Sequence, residues 1–245
     1  MEFAPGRRLM LTVVLLCVSA AAQRGEENGQ VRVLVYNNAR ISAGQLEKAG
    51  AETTRIFRSA GIELVWINCT ANVESLACRN ASRSKGLIMR VVSNGKSGGD
   101  YVYGDAFLAE DGSGKYADIF FDHIVSTHHD FGVNEARLLG AVAAHEIGHL
   151  LLGLGAHSTT GIMSPIWANA QIQKMEKGGL LFTPMQAMRM REHVWQSEFE
   201  VDDRGLDRAS VDTGGRVPAS EAPFAIRSTM FLTSKSCRPT LTPCP

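Results

Sequence analysis

Three residues in the middle of the chain have the types and the spacing needed to bind a metal ion. His145, Glu146 and His149 form the pattern His-Glu-x-x-His within a run that is otherwise apolar or small. In a helix, His145 and His149 lie one turn apart on the same face, where two neutral imidazoles can bind one Zn²⁺ ion. Glu146 lies about 100° round the helix, so its carboxylate can reach a water molecule on the metal without being a ligand. The pattern predicts metal-assisted hydrolysis.

The residues around this motif predict a buried helix rather than a surface segment that contains two histidines by chance. With seven histidines in the chain, a chance match is expected roughly once in a hundred sequences of this length and composition. Unpaired polar groups in a buried helix cost several kcal/mol, and a metal ion would provide the missing partners. The small and large apolar residues that predict close packing are Leu138, Gly140, Val142, Ala144, Ile147 and Gly148.

The residues after the motif resemble the metzincin pattern, in which a glycine turns the chain, a third histidine returns to the metal and a methionine turn follows. The corresponding positions here are Gly153, Gly155, His157 and Met163. The branch it resembles is the matrixins, because Ser158 follows the histidine, and the resemblance covers roughly residues 30–198. It implies that Zn²⁺ is held by His145, His149 and His157. It also implies that Met163 and the two glycines are structural residues near the site.

The spacing of the third histidine departs from that family. His157 follows His149 by eight residues, where the family has six. Gly153 and Gly155 offer two positions of positive φ, which is enough to absorb the extra residues and return His157 to the metal. The alternative is a carboxylate third ligand, as in gluzincin-like enzymes. The competing residues for the third ligand are Glu176, Glu192 and His193.

The first third of the chain has the pattern of a strand, a helix and a second strand. Residues 31–36 alternate in polarity, and residues 62–67 are a mostly apolar run. Between them, Ser42 and Gln45 form a capping box at the start of a helix of about 18 residues, and Gly61 ends it. This order predicts a βαβ unit with parallel strands and a right-handed crossover.

Further strands and helices complete the prediction of an α/β fold. Residues 87–92, 101–109 and 117–121 are strand-like, and Asn134 is suited to cap the helix that carries the motif. Thr183 precedes a proline at the start of a last helix. The predicted architecture is a mixed, mostly parallel twisted sheet with two long helices. A small lower part carries the methionine turn and the C-terminal helix.

The resemblance implies a binding role for one strand. In metzincins an antiparallel edge strand binds the substrate chain as an added strand, and residues 104–109 resemble that edge. A strand with ordinary partners on both sides is the alternative. The specificity pocket is expected to take its wall from residues 167–182, which carry no recognisable signature.

Three more histidines, His123, His128 and His129, precede the motif helix. We expect them to be solvated residues of a loop, with a second metal site as the alternative.

The N-terminus resembles a secretory signal peptide. Arg7 and Arg8 precede an apolar run at residues 9–18, and three alanines before Gln23 offer a cleavage site. The run is short for a membrane span of about 20 residues, so we expect an exported chain, secreted or periplasmic, without stable membrane association. The predicted organisation is a signal peptide at 1–22, a polar leader at 23–30, a catalytic domain at 31–198 and a poorly ordered tail at 199–245.

Four cysteines remain after removal of that signal peptide. An even number in an exported chain favours disulfides. Cys69 and Cys78 flank one connection between strand-like runs, so we predict that they pair, and Cys237 is paired with Cys244 by default. The formal net charge is zero, which gives no reason to expect a nucleic-acid partner.

Together, these features predict a secreted zinc endopeptidase that acts on peptides or proteins, with Glu146 as the general base. Two alternatives stay open at this point. The first is an inactive binding or structural module that is stapled by zinc. The second is a zinc hydrolase with a carboxylate third ligand.

Overall fold

The structure is a computed structural model, and it describes residues 30–69, 76, 78–79, 86–93, 102–206 and 226–232. For residues 197–206 and 226–232 only the backbone is described. The helices are α1 (Ala43–Ser59), α2 (Phe121–Phe131), α3 (Glu135–Leu152), α4 (Asn169–Glu176) and α5 (Pro184–Leu206). The strands are β1 (Gln30–Asn37), β2 (Glu63–Cys69), β3 (Leu87–Val92), β4 (Val102–Leu108), β5 (Gly114–Phe120), β6 (Ile166–Trp167) and β7 (Ile226–Leu232). The predicted signal peptide, Cys237 and Cys244 lie outside the described residues.

The strands form one sheet in the order β2-β1-β3-β5-β4-β7-β6. β1 is parallel to β2 and to β3, and β3 is parallel to β5. β4 runs antiparallel to both β5 and β7, and β6 is parallel to β7. The prediction of an α/β fold with a mixed, mostly parallel sheet is confirmed.

The first βαβ unit has the predicted helix ends. The hydroxyl of Ser42 accepts a hydrogen bond from the backbone N–H of Gln45 at 3.3 Å. Gly61 follows the last turn of α1 with a φ of 73°, a conformation that favours glycine. β1 and β2 are parallel over the whole of β2, from Gln30 opposite Glu63 onward.

The second long helix, α3, is buried along almost its entire length. Asn134 caps it as predicted, since its side-chain oxygen accepts from the N–H of Arg137 at 2.9 Å. α1 approaches α3 closely at Gly140, where an added Cβ would lie 2.6 Å from the carbonyl oxygen of Ala49. The hydroxyl of Thr53 bonds the carbonyl oxygen of Gly140 at 3.0 Å. Direct contact with α1 therefore helps to hold α3, which carries the motif, in place.

The segment before α3 is a helix, α2, rather than the expected loop. Nδ1 of His123 bonds the carbonyl oxygen of Val102, and Nδ1 of His128 donates to the carbonyl oxygen of Val133 at 2.6 Å. His129 is exposed. The prediction of a loop is therefore wrong for all three histidines, whereas His128 is exposed like His129 and His123 is half-buried. Phe121, Ile124 and Val125 are at helical spacing, so the sequence did carry a signal for α2, although the helix buries only Ile124 and Thr127.

The lower part of the molecule contains β6, α4 and α5. The predicted capping box begins α5: the N–H of Gln186 donates to the hydroxyl oxygen of Thr183 at 3.3 Å, and the N–H of Thr183 donates to the side-chain oxygen of Gln186 at 3.0 Å. Ala187, Met190 and Val194 form the buried face of this helix. The lower part therefore has a core of its own that continues into that of the sheet.

The region predicted to be a poorly ordered tail contains regular structure. α5 continues to Leu206, and Ile226–Leu232 forms β7, which lies between β4 and β6. For these residues the prediction is wrong. A seven-residue strand has no hydrophobic face large enough to recognise alone, and its pairing depends on β4, which is far away in the sequence.

The predicted local disulfide is present. The sulfur atoms of Cys69 and Cys78 are 2.08 Å apart and the Cα atoms 5.9 Å apart, which is ordinary disulfide geometry. Among the helices that the structure describes, none has an apolar stretch long enough to cross a membrane.

Candidate metal centre

α3 brings two imidazoles together inside the molecule. His145 and His149 are 0% and 1% exposed, and their Nε2 atoms are 3.0 Å apart. The separation follows from helix geometry, because residues four apart lie one above the other on one face. The helix thus supplies two nitrogen atoms that point to one place.

The loop after α3 brings His157 to the same place. Gly153 and Gly155 have φ values of 72° and 70°, as the prediction for this loop requires. The chain reverses, and Nε2 of His157 lies 3.1 Å from Nε2 of His149. The potential ligand atoms of the three histidines lie within 4.8 Å of one another, and no other such group occurs in the described ranges. The two glycines therefore absorb the longer spacer.

The orientation of His145 is set by the carbonyl group of Ile162. Nδ1 of His145 lies 2.7 Å from this oxygen. Because a carbonyl oxygen only accepts, Nδ1 carries the proton and Nε2 presents a lone pair to the cluster. The indole N–H of Trp167 donates to the same oxygen at 3.1 Å, which helps to hold the carbonyl group in position.

Burial keeps the histidines uncharged in the metal-free protein. Loss of hydration is the main cause that lowers the pKa of both His145 and His149. The pKa of His145 falls to about 3 and that of His149 to about 2. The pKa of His157 is also lowered by burial. Neutral imidazoles are the form that binds metal ions, so the cluster is ready to bind at pH 7 without displacing protons.

The donor set fits Zn²⁺. Three nitrogen atoms at 2.0–2.1 Å from a tetrahedral zinc would be about 3.3 Å apart, close to the two Nε2 separations of 3.0 and 3.1 Å. Converging lone pairs repel one another unless a cation lies between them. Three imidazoles also leave a fourth tetrahedral position open, as in catalytic zinc sites.

Glu146 is buried against β4. A Cβ added at Gly104 would lie 2.8 Å from Oε1 of Glu146. Loss of hydration, and then the negative charge of the buried Asp105, raises the pKa of Glu146 well above its usual range. Within the described part of the chain neither carboxyl oxygen has a hydrogen-bond partner. A buried carboxyl group without a protein partner is costly, and it is available to a water molecule or a substrate.

Met163 lies below the histidines, as the methionine turn implies. It is fully buried, and an added Cβ at Gly148 would lie 2.6 Å from its sulfur atom and 2.9 Å from Cε1 of Phe182. The backbone N–H of Ser158 donates to the carbonyl oxygen of Met163 at 3.0 Å. Gly148 therefore provides the space in which the methionine turn packs against α3.

Two residues of the site are absent from the sequence prediction. Gln186 of α5 donates from Nε2 to the hydroxyl oxygen of Ser158 at 2.9 Å and to the carbonyl oxygen of Ala156 at 3.3 Å. These two acceptors flank His157, so Gln186 ties its loop to α5. Asp105 is the second, and the signal that could have revealed it is an acidic residue inside an otherwise apolar strand.

The other residues considered as third ligands lie elsewhere. Oε1 of Glu176 accepts from the backbone N–H of Asn134 at 2.8 Å. Glu192 and His193 are exposed on α5. Of the four candidates, His157 alone lies with His145 and His149.

Comparisons with known proteins find similar structures but no similar sequences. No protein-family model and no curated protein sequence matches the chain. The chain is similar in structure to archaemetzincin from Methanopyrus kandleri, at 15% identity over 69% of this chain and 98% of that chain, with a TM-score of 0.46. It is also similar to a zinc-dependent peptidase from Methanocorpusculum labreanum, at 15% identity over 64% of this chain and 99% of that chain, with a TM-score of 0.43.

Proposed function

We propose that this chain is an exported zinc-dependent endopeptidase. The observation that carries the proposal is the convergence of three imidazole Nε2 atoms, two of them from the same buried helix that carries the carboxyl group of Glu146. A zinc site that only stabilises the fold is normally closed by a fourth protein ligand. This cluster has three such residues and, beside them, an acid that could move a proton.

The proposed reaction assigns a separate role to each side chain. His145, His149 and His157 hold the ion. When bound, Zn²⁺ supplies a Lewis acid that lowers the pKa of water to about 7 and polarises a carbonyl group. A carboxylate oxygen of Glu146 takes a proton from the attacking water and later gives it to the leaving amine nitrogen. The raised pKa of Glu146 suits a group that must both accept and release a proton.

The surroundings of Glu146 favour a peptide as the substrate. β4 borders this residue, and an extended segment of the chain, β7, pairs with β4 on the side away from β5. A strand edge recognises the backbone of an extended peptide. β7 is preceded and followed by further residues of the chain, so the edge of β4 accepts a segment from within a polypeptide. An endopeptidase must bind its substrate in this way.

The geometry argues against the two alternative functions. A zinc-stapled module without activity and a hydrolase with a carboxylate ligand are favoured only by the longer spacer before His157. Gly153 and Gly155 absorb that spacer. In the described residues the carboxyl group of Glu146 also has no hydrogen-bond partner. A zinc site that only stabilises the fold has no use for a buried carboxyl group in this state.

Two features of the chain support export. They are the signal-like composition of residues 1–22 and the disulfide between Cys69 and Cys78. Disulfides persist in oxidising compartments and are rare in the cytosol. Mass spectrometry of protein recovered from outside the cytoplasm tests export, and it should detect a chain that begins near Gln23.

If Glu146 is the general base, its replacement should remove most of the activity without loss of zinc. The purified protein should contain one Zn²⁺ per chain by elemental analysis, and a chelator should abolish hydrolysis of casein. Glu146→Gln should lower kcat/KM for a peptide by about 10²–10⁴-fold, because it removes the general base, while the zinc content stays the same.

Glu47→Gln is the matched control, because Glu47 is exposed on α1. It should leave both zinc content and kcat/KM unchanged. Near-normal turnover by Glu146→Gln would show that the catalytic role of Glu146 is wrong.

A further inference from the structure

The two neighbours of β7 border the candidate site on opposite sides. β4 contacts the site at Gly104, which has no room for a side chain next to Glu146. β6 is connected to it through Trp167, whose indole bonds the same carbonyl oxygen as His145. β7 is paired with both strands. Because neighbouring strands lie about 4.8 Å apart, the backbone of β7 lies one strand spacing from each of the two strands that contact residues of the site.

The register identifies the part of β7 that lies at Gly104. Leu108 is opposite Ile226, Asp105 is opposite Thr229, and Val102 is opposite Phe231. Two residues of β4, at 103 and 104, therefore lie opposite the single residue 230. This is the arrangement of a β-bulge, a feature common next to active sites. The bulge places residue 230 of β7 opposite the strand position that contacts Glu146.

The direction of β7 is also defined. It runs antiparallel to β4 and parallel to β6, with Phe231 opposite both Val102 and Ile166. A segment in this position has backbone hydrogen bonds on both of its sides at the end near the site. An external peptide that added to β4 at the same residues would have to displace β7, because a strand edge has one set of free N–H and C=O groups.

We propose that Ile226–Leu232 is an intramolecular occupant of the substrate channel and that it limits access of other peptides to the site. The inference rests on the proposed function, in which β4 binds the substrate backbone. A tethered segment has an effective concentration of about 1 mM. If the segment itself binds the free edge with a dissociation constant below about 100 μM, any competing peptide would bind the intact chain at least about 10-fold more weakly.

A purely structural β7 predicts the opposite result. If β7 only completed the sheet, its loss would destabilise the protein and lower or preserve activity. If β7 occupies the channel, weakening its pairing raises both peptide binding and kcat/KM. The sign of the change therefore distinguishes the two roles.

The test uses the full chain with Ser228→Pro and Thr229→Pro together. Successive backbone N–H groups of a strand point to opposite sides, so one of these two prolines removes a donor to β4. The matched control is Ala209→Pro with Ser210→Pro, which places the same change between α5 and β7.

The first readout is binding and does not require turnover. In chains that also carry Glu146→Gln, fluorescence anisotropy measures the affinity for a labelled synthetic peptide of residues 224–234. The affinity should be at least about 10-fold higher for the 228/229 variant than for the parent and the control. Equal affinities in all three chains would overturn the inference.

The second readout is kcat/KM for a fluorogenic peptide at equal zinc content. An increase of about 10-fold in the 228/229 variant supports the inference, and unchanged or lower activity contradicts it. If the 228/229 variant binds the peptide more tightly but no chain hydrolyses it, the inference about β7 is supported and the proposed endopeptidase function is contradicted. If all chains hydrolyse the substrate at equal rates and bind the peptide with equal affinity, the proposed function is supported and the inference about β7 is contradicted.

A second design covers the case in which the prolines prevent folding. A recognition sequence for a specific protease is inserted between Thr213 and Gly214, and the folded protein is cut there and passed over a sizing column. Release of the tail should give the same gain in peptide affinity. A cut protein without this gain would contradict the inference.

Discussion

Exclusion of water is the property that His145, Glu146 and His149 have in common, whereas His157 is exposed. Burial lowers the pKa of His145 and His149, and it raises the pKa of Glu146. The histidines are therefore unprotonated and able to bind a metal ion at pH 7. The glutamate holds a proton more tightly than an exposed one, which suits transfer to a leaving group. One physical effect meets two different chemical requirements.

At the same scale, His157→Ala should weaken zinc binding severely. Removal of a ligand should exceed the roughly 10–100-fold loss that is typical for residues that only support a ligand. Titration against a competing chelator measures the affinity. His193→Ala is the control, because His193 is exposed on α5 and should change nothing. Equal zinc affinities for the two variants would rule out His157 as the third ligand.

At the scale of elements, the site depends on how closely β4 and α3 approach. A Cβ at Gly104 would lie 2.8 Å both from Oε1 of Glu146 and from the backbone oxygen of Asp118. The second contact is with backbone of β5, which cannot move without disturbing the sheet. Both the side chain of Glu146 and the local pairing of β4 with β5 would therefore have to shift.

Gly104→Ala should lower kcat by about 10–100-fold, because a displacement of about 1 Å in a catalytic group can have an effect of this size. Zinc content should not change, since the three histidines are carried by α3 and its following loop. The control is Gly44→Ala, where an added Cβ meets nothing within 4 Å. Parallel losses of zinc and activity in Gly104→Ala would indicate general disruption instead of a displaced Glu146.

At the scale of the whole molecule, the metal site joins the sheet layer to the lower part. His145 and His149 belong to α3, which packs between α1 and the sheet, whereas His157 follows in the loop that Gln186 ties to α5. A bound ion would connect these parts directly. Metal binding and folding stability are therefore coupled in this protein.

The zinc-free protein should lose stability as the pH falls from 7 to 5. In the folded chain the pKa values of His145 and His149 are about 3 and about 2, below the value of about 6.5 for an unfolded histidine. At these two histidines the unfolded chain therefore binds more protons over this interval, and the raised pKa of Glu146 offsets part of that difference. Below about pH 6.5 the free energy of unfolding should fall by about 1.4 kcal/mol per pH unit for each of the two.

Thermal unfolding in the presence of a chelator, at pH 7 and at pH 5, measures this effect. The double variant His145→Asn/His149→Asn cannot titrate at these positions, so its Tm should depend less on pH. A parent Tm that is the same at both pH values would contradict the prediction.

Some features could be predicted because they depend on neighbours in the sequence. The caps at Ser42, Asn134 and Thr183 involve residues three positions apart. The disulfide between Cys69 and Cys78 closes a short connection. α2 was missed because the sequence prediction treats its three histidines as solvated loop residues, although Phe121, Ile124 and Val125 have helical spacing.

The sequence by itself determined which residue types lie together at the proposed site, because His145, Glu146 and His149 occupy one helix at the spacing expected of two metal ligands and a general base. It also indicated where glycines would let the chain return a third histidine. Only the tertiary structure decided that Asp105 lies next to Glu146, that Gln186 supports the loop of His157, and that β7 occupies the edge of β4. Each of these joins segments far apart in the chain, and pairing at a distance leaves no local period in either segment.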